Sequence, residues 1–320
     1  MLERVRHALA VRHRSEKTAD AYVGWVRRFS LFHGRKHPAE MGKREVTAFL
    51  SSLATERDVS ASTQNQALAA LMFLYTDVLG QDLPWLTDLV YAKRPVRVPV
   101  VMTKQEVAAV LSKMKGTPRL VASLPYGSGL RLLECLTLRV KDVDFAGRQL
   151  VVRRGKGQKD RVGLLPERLV GALELHLERM RKQHEKDVAA GAGFVDLPRA
   201  LLVKYPRAAT EWRWQWVFPA TRLYSDERTG ERRRHHLHET ALQRAVRAAV
   251  AASGLTKQVS CHTFRQSFAT GLLEAGYDIR TIQQLLGHRD VRTTMIYTHV
   301  LNRGPYGVRS PFDGLLSDIE

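Results

Sequence analysis

The stretch LLGHRDVRTTMIYTHV, residues 285–300, closes an apolar run on Gly287 and His288 and sets Tyr297 nine residues beyond that histidine. Glycine tolerates the left-handed conformation that ends a helix, so His288 is expected just past a helix C-terminus. Asp290 can cap the next helix, which carries Met295, Ile296 and Tyr297. Upstream, CHTFRQSF sets His262 and Arg265 three apart, on one helix face. Arg131 follows the glycine turn of YGSGLR, and Lys156 occupies the turn of RRGKGQKDR. Taken singly, each reads as ordinary packing: a satisfied histidine, a core tyrosine. Taken together, two arginines, a lysine and two histidines would surround one phosphate. The planar arginine fork binds phosphate oxygens in pairs. Lys156 can protonate a departing alkoxide, and the histidines can relay protons or donate hydrogen bonds. A tyrosine becomes a nucleophile once its proton is removed and cations stabilise its charge.

The composition suits a phosphate-bearing partner. The chain has 320 residues with a formal net charge of +19 and a pI near 10.3. A field of that sign attracts polyanions, and nucleic acid is the default candidate. Residues 1–98 carry 15 Lys/Arg against 10 Asp/Glu, and residues 99–320 carry 36 against 22. Both parts are therefore expected to touch the polyanion. No apolar run approaches the roughly 18 residues that span a membrane, and the N-terminus lacks a signal-peptide pattern. Two widely spaced cysteines, Cys135 and Cys261, suggest reduced thiols in the cytoplasm rather than a disulfide framework.

The elements that position these residues fall into two regions. Residues 1–92 read as a small helical domain. Ser15 caps a helix with Tyr22, Trp25, Val26 and Phe29 at helical spacing; KREVTAFLSSLAT puts Val46, Phe49, Leu50 and Leu53 on one face; a third apolar face, Leu68, Leu71, Met72 and Tyr75, is closed by Gly80. Residues 93–101, KRPVRVPVV, read as an extended basic linker. Thr103 and Glu106 make a capping-box pattern that starts the second region, residues 102–320. There, helices are expected over TKQEVAAVLSKMK, over YGSGLRLLECLTLRVKDVDF after its glycine turn, and over residues 166–186. RQLVVRR and RVGLLP flank a tight turn as a β-hairpin. Residues 190–234 read as irregular, and three more helices, each ended by glycine, follow. Trp212, Trp214 and Trp216 alternate with polar residues, which suggests a strand with aromatics on one face. These indoles are either core packing or stacking platforms for unpaired bases.

Arg131, Lys156, HTFR, LLGH and Tyr297 resemble, in order and spacing, the six-residue signature of tyrosine recombinases. The resemblance covers nearly the whole chain. It implies an all-α core-binding domain of SAM-like fold, a linker, and a mixed α/β catalytic domain that is mainly helical with a small antiparallel sheet. It implies that Tyr297 attacks a DNA phosphodiester, forms a 3′-phosphotyrosyl link and releases a 5′-hydroxyl, which a partner strand's hydroxyl later reverses. Arg131, Arg265 and His288 would hold the phosphoryl oxygens, Lys156 would be the acid, His262 would assist the nucleophile's proton, and Glu134 would orient an arginine. The set calls for no metal, ATP or other cofactor. RRRHHLHE invites a zinc reading, but paired Cys-x-x-Cys or H-E-x-x-H spacing is absent.

The segment 197–240 and the ending MIYTHVLNRGPYGVRSP are similar to integron integrases, whose insertion would occupy residues 190–234 here. That subfamily exchanges gene cassettes between a duplex attachment site and folded single-stranded cassette sites with extrahelical bases. By that resemblance Trp214, His235 and His236 would grip flipped-out bases. Four protomers would assemble on two sites from a free monomer in the bacterial nucleoid, with the tail 301–320 docking on a neighbour. Alternatives are a phage-type or Xer-like recombinase acting on two duplexes, a relaxing topoisomerase, and an architectural DNA-binding protein that has lost catalysis. Two positions depart from the pattern. Gln266 stands where the family often has histidine. Pro125, six residues before Arg131, is expected to kink a helix and misplace that arginine.

Overall fold

Two compact units, Met1–Arg97 and Val98–Glu320, divide the chain. The computed structural model describes residues 1–55, 58–81, 99–153 and 160–298. Most of the basic linker, the turn holding Lys156 and the tail 301–320 lie outside the described residues.

The first unit is helical: α1 (Leu2–Val11), α2 (Glu16–Phe32), α3 (Lys43–Thr55) and α4 (Ala61–Phe73), which runs on into a π-helical turn, Leu74–Val78. Ser15 and Ser60 cap α2 and α4, accepting from the backbone N–H groups of Thr18 and Thr63. The expected face of α3 is buried at all four positions, Val46, Phe49, Leu50 and Leu53. It meets Trp25, Phe29, Leu68, Leu71 and Tyr75 in one core. The Tyr75 hydroxyl donates to the Pro38 and Met41 carbonyls, so that this buried aromatic leaves no unmet polar group.

The second unit begins with α5 (Lys104–Ser112), where Thr103 and Glu106 form both bonds of the capping box. It continues with α6 (Gly116–Ser128), the short α7 (Leu132–Leu136), and a three-stranded antiparallel sheet of β1 (Val143–Asp144), β2 (Gln149–Val152) and β3 (Arg161–Leu164). Then come α8 (Glu167–Ala189), α9 (Arg199–Lys204), the hairpin β4 (Pro219–Ser225) and β5 (Arg232–His236), and α10 (Glu239–Ala252). The unit's described part ends with α11 (Cys261–Glu274), α12 (Ile279–Leu286) and α13 (Arg292–Met295). Helices α6 and α11 pack through the middle, with Val121, Leu124, Leu136, Leu150, Phe218, Leu242 and Phe264 in one apolar core.

Four local expectations are corrected. The helix after the glycine turn is only five residues long, because Tyr126–Ser128 finish α6 and Gly129 closes it at φ +64°. Beyond Thr137 the chain leaves to pair with the segment near Trp216, where Val217 N–H donates to the Leu138 carbonyl and Val140 N–H to that of Gln215. Pro125 lies inside α6, which runs unbroken to Ser128, and Gly129 N–H still reaches the Pro125 carbonyl at 3.1 Å. Gly129 and Leu130 lie between the end of α6 and Arg131. The tryptophans are not a strand: Trp212–Trp214 form a 3-10 turn, and only Trp216 bridges to Arg139.

The fourth concerns residues 190–234, read as irregular. They contain β4 and part of β5. That hairpin is hidden from hydrophobic periodicity because its buried groups are charged. Arg233 is buried against Asp196, Asp226 and Glu231, and Arg234 makes a two-toothed ion pair with Asp187 at 2.7 and 2.8 Å. Among the described residues no helix is long and apolar enough to cross a membrane, and no cluster of His, Cys, Asp and Glu is placed to hold a metal ion.

Candidate active site

Arg131 sits in extended conformation at the start of α7, and Glu134 folds back on it. One carboxylate oxygen of Glu134 accepts the Arg131 N–H and the other accepts Nη1, both at 2.7 Å. Arg161 Nη2 adds a bond at 2.6 Å, and Arg265 Nη1 lies 3.7 Å away. Burial alone would raise the Glu134 pKa, but Arg161 and the bonds from Arg131 outweigh it and hold it below the usual carboxylate range. Glu134 is therefore an ionised carboxylate among three cations.

Arg265 is fully buried on α11. Its Nη1 donates to the Gly129 carbonyl and its Nη2 to the Leu286 carbonyl, each at 2.5 Å. Those carbonyls end α6 and α12, so two helix C-termini bring their negative ends to one guanidinium. Burial, and then Arg131, push its pKa down to about 10, which leaves it charged at neutral pH. Two glycines allow this convergence. A Cβ on Gly129, at φ +64°, would lie 2.5 Å from the Phe268 ring, and one on Gly287, at φ +62°, would lie 2.6 Å from Arg161 Nε.

His288 stands just past α12, as its sequence position implies. Its Nε2 lies 3.1 Å from Arg265 Nη2 and its Nδ1 lies 2.9 Å from Thr294 Oγ1. A guanidinium only donates, so Nε2 accepts; the proton of a neutral ring is then on Nδ1 and goes to Thr294. Thr294, itself fully buried, also accepts the Tyr297 N–H on its backbone carbonyl at 3.1 Å. That bond spans three residues, tighter than an α-helical turn, and α13 ends at Met295. Tyr297 is thus in the turn after the helix, not inside it, while Asp290 Oδ1 does accept from Arg292 N–H as a cap would.

Tyr297 is 1% exposed and packs with Phe268, Leu273, Ile282 and Leu286. Its ring lies nearly parallel to His288, centroids 6.5 Å apart. Burial raises the phenol pKa, and Arg265 and Arg131 partly oppose it, so the hydroxyl keeps its proton until a base takes it. His262, in the first turn of α11, keeps solvent access. Desolvation, then Arg265 and Arg131, lower its pKa, so its imidazole is neutral near pH 7 and able to accept a proton.

The fold therefore gathers Arg131, Glu134, His262, Arg265, His288 and Tyr297. Lys156 lies outside the described residues, between β2 and β3. Sequence reasoning missed Arg161 and Thr294. Arg161 left no sequence trace: alternation in β3 would turn the apolar Val162 and Leu164 inward, yet they are 52% and 46% exposed and the arginine faces in. Thr294 left none either, since a threonine next to another threonine reads as helix filler. Thr294→Val is expected to keep the fold and slow strand cleavage about tenfold, the lower range of loss for an outer partner that orients an imidazole. Thr294→Ser should retain most activity; equal rates for Val and wild type in single-turnover cleavage would contradict the tie.

The three residues assigned to extrahelical bases are placed unequally. Trp214 is buried beside Val195, Leu197 and Ala208, and Lys141 Nζ lies 3.2 Å from its ring centroid. One face of that indole is therefore taken by the chain's own cation. His235 is exposed and His236 half-buried on β5. Their rings are 4.0 Å apart, with Trp216 5.4 Å from His236 and the exposed Tyr224 6.4 Å from His235.

Comparison with known proteins decides the family. The sequence profile described as the Phage integrase family matches residues 100–303, and that of its N-terminal SAM-like domain matches residues 1–85. The chain belongs to the phage integrase family, the tyrosine recombinases. It is an enzyme of the site-specific recombinase type, in a family whose chemistry uses no metal. An "Integrase/recombinase" of Escherichia coli is 52% identical over 98% of this chain and 94% of its own length, and one of Pseudomonas aeruginosa matches equally. The tyrosine recombinase XerA of Thermococcus onnurineus is 31% identical over 94% of this chain and 90% of its own. In fold, the recombinase is similar to the Tn1549 transposon integrase solved with circular intermediate DNA, at 18% identity and a TM-score of 0.61, covering 98% of both chains.

Proposed function

We propose that this recombinase exchanges gene cassettes as an integron integrase. Tyr297 attacks the scissile phosphorus; an O–P bond forms, the bond to the 5′-oxygen breaks, and the product is a 3′-phosphotyrosyl link. The phenol's proton goes to His262, and Lys156 protonates the departing 5′-oxygen. Arg131 and Arg265 hold the phosphoryl oxygens, with Glu134 behind Arg131; His288 joins them once its Nε2, which here accepts from Arg265, takes up a proton and turns to the phosphate. The observation that carries this chemistry is the convergence of Arg265 and His288, 3.1 Å apart, beside the buried Tyr297. Residues 1–92 bind DNA as the core-binding domain, 93–101 link the two, and 102–320 catalyse. Four protomers act on two sites, one a duplex and the other a folded single strand, in the cytoplasm.

The cassette assignment is supported by the cluster on the β4–β5 hairpin. There His235 and Tyr224 present exposed rings beside Trp216, over which Arg139 Cζ sits at 3.8 Å. Any base offers a π face to such a platform, so recognition would follow the folded shape of the strand. Trp214 joins this platform only if Lys141 gives way. His235→Ala is expected to lower cleavage of the folded strand about tenfold, one base stack's worth, and to leave a linear duplex site unaffected. The covered Trp214 face, with the relationship to XerA, favours a second reading, action on two duplex sites. Equal reaction of folded strand and duplex would establish that reading instead.

A further inference from the structure

Arg161 opens β3, opposite Val152, on the returning arm of the hairpin. Its side chain is 12% exposed and turned inward. Nη2 bonds to Glu134 Oε2 at 2.6 Å, the same oxygen that accepts the Arg131 N–H. Its other side is pressed against Gly287: an added Cβ there would meet Arg161 Nε at 2.6 Å and Cδ at 2.7 Å. The Gly287 carbonyl in turn receives Arg131 Nη2 at 3.4 Å. One side chain thus touches the carboxylate that holds Arg131 and the corner that carries His288.

A cation here is costly. Arg161 Nε and Nη1 are buried with no hydrogen-bond partner among the described residues, and desolvation pulls its pKa below the usual arginine value. An apolar side chain would fill the space without that penalty. The arrangement has a direction. Side-chain exposure falls from 27% at Arg131 to 12% at Arg161 and 1% at Arg265. Arg131 keeps the most solvent access of the three, and Arg161 meets the carboxylate from the interior.

We propose that Arg161 is a positioning residue for strand cleavage: it fixes Glu134, and through it Arg131, against the Gly287–His288 corner. The proposal rests on the reading that this site cleaves a phosphodiester. Arg161 also follows in sequence the segment between β2 and β3 that carries Lys156, so two routes to the chemistry are distinct. The contacts to Glu134 and Gly287 assign the phosphate side rather than the acid side.

A bridging 5′-phosphorothiolate separates the two. Its leaving thiolate departs without a proton, so loss of a general acid is bypassed. Single-turnover cleavage would be measured on nicked sites with oxygen or sulfur at the scissile position. Lys156→Gln is expected to be slow on oxygen and restored on sulfur. Arg161→Gln is expected to be slowed about a hundredfold on both, the loss typical of a small misplacement of a catalytic group. Arg161→Lys should fall between Gln and wild type on both. Site binding and urea unfolding are followed alongside, and if Gln fails to fold, Lys carries the test. The double variant Arg161→Gln/Glu134→Gln should be no slower than the slower single variant, since both remove one link. Restoration of the Arg161 variants by sulfur, wild-type rates on oxygen, or additive effects with Glu134→Gln would overturn the proposal. If wild type itself forms no adduct on either substrate, it is the underlying cleavage reading that fails.

Discussion

Arg265→Ala is expected to slow single-turnover cleavage by at least about a thousandfold, the upper range for removing one preorganised donor at a developing oxyanion. It is also expected to destabilise the second unit by about 3 kcal/mol, as breaking a buried charge pair does. The reason is where the guanidinium ends. It is the shared partner of the Gly129 and Leu286 carbonyls and of His288 Nε2. Without it, two carbonyls lose a donor in a dry interior, and each such loss is expensive. Glu134 also loses one of three nearby cations. Arg265→Lys keeps the charge, but one ammonium cannot reproduce a fork that spans two helix ends. Its stability should recover more than its cleavage rate. Cleavage by Arg265→Lys at the wild-type rate would show that the fork is not what the phosphate needs.

Tyr297→Phe is expected to abolish the covalent adduct and leave folding and site binding unchanged. The ring is packed among Phe268, Leu273, Ile282 and Leu286, and phenylalanine fills the same space. The hydroxyl lies in the field of Arg265 and Arg131, where its proton is easier to remove than burial alone would allow. A phosphate entering the site partly neutralises those cations, so removal of the phenol proton has to accompany attack. His262, kept neutral by desolvation and the same two arginines, is the base to which the proposed mechanism assigns that proton. Adduct formation by Tyr297→Phe would mean that another side chain is the nucleophile.

Much of this site was legible because its residues are anchored by local rules. Gly287 and Gly129 sit at left-handed helix ends, where glycine is the least strained residue, so the positions of His288 and Arg131 followed from punctuation. His262 and Arg265 followed from helical spacing on α11. The capping residues Ser15 and Thr103 were equally plain. Long-range pairing was not legible. Arg161 reaches Glu134 across 27 residues and Arg265 reaches Gly129 across 136, and nothing in the sequence marks either pairing. The hairpin β4–β5 was missed because ion pairs, not alternating apolar residues, hold Arg233 and Arg234 inward. The tryptophans misled for the opposite reason: a period of two is a strand signal, yet Trp214 turns into its own small cluster.

The most direct test of the central claim is to map the adduct. The protein is incubated in EDTA with a site nicked near the scissile phosphate, so that the released 5′-end diffuses away and the link is trapped. The adduct is digested and sequenced by mass spectrometry. The account predicts a 3′-phosphate ester on Tyr297, formed without metal and absent in Tyr297→Phe. A 5′-linked product, an adduct on another residue, or full site binding with no adduct would contradict it.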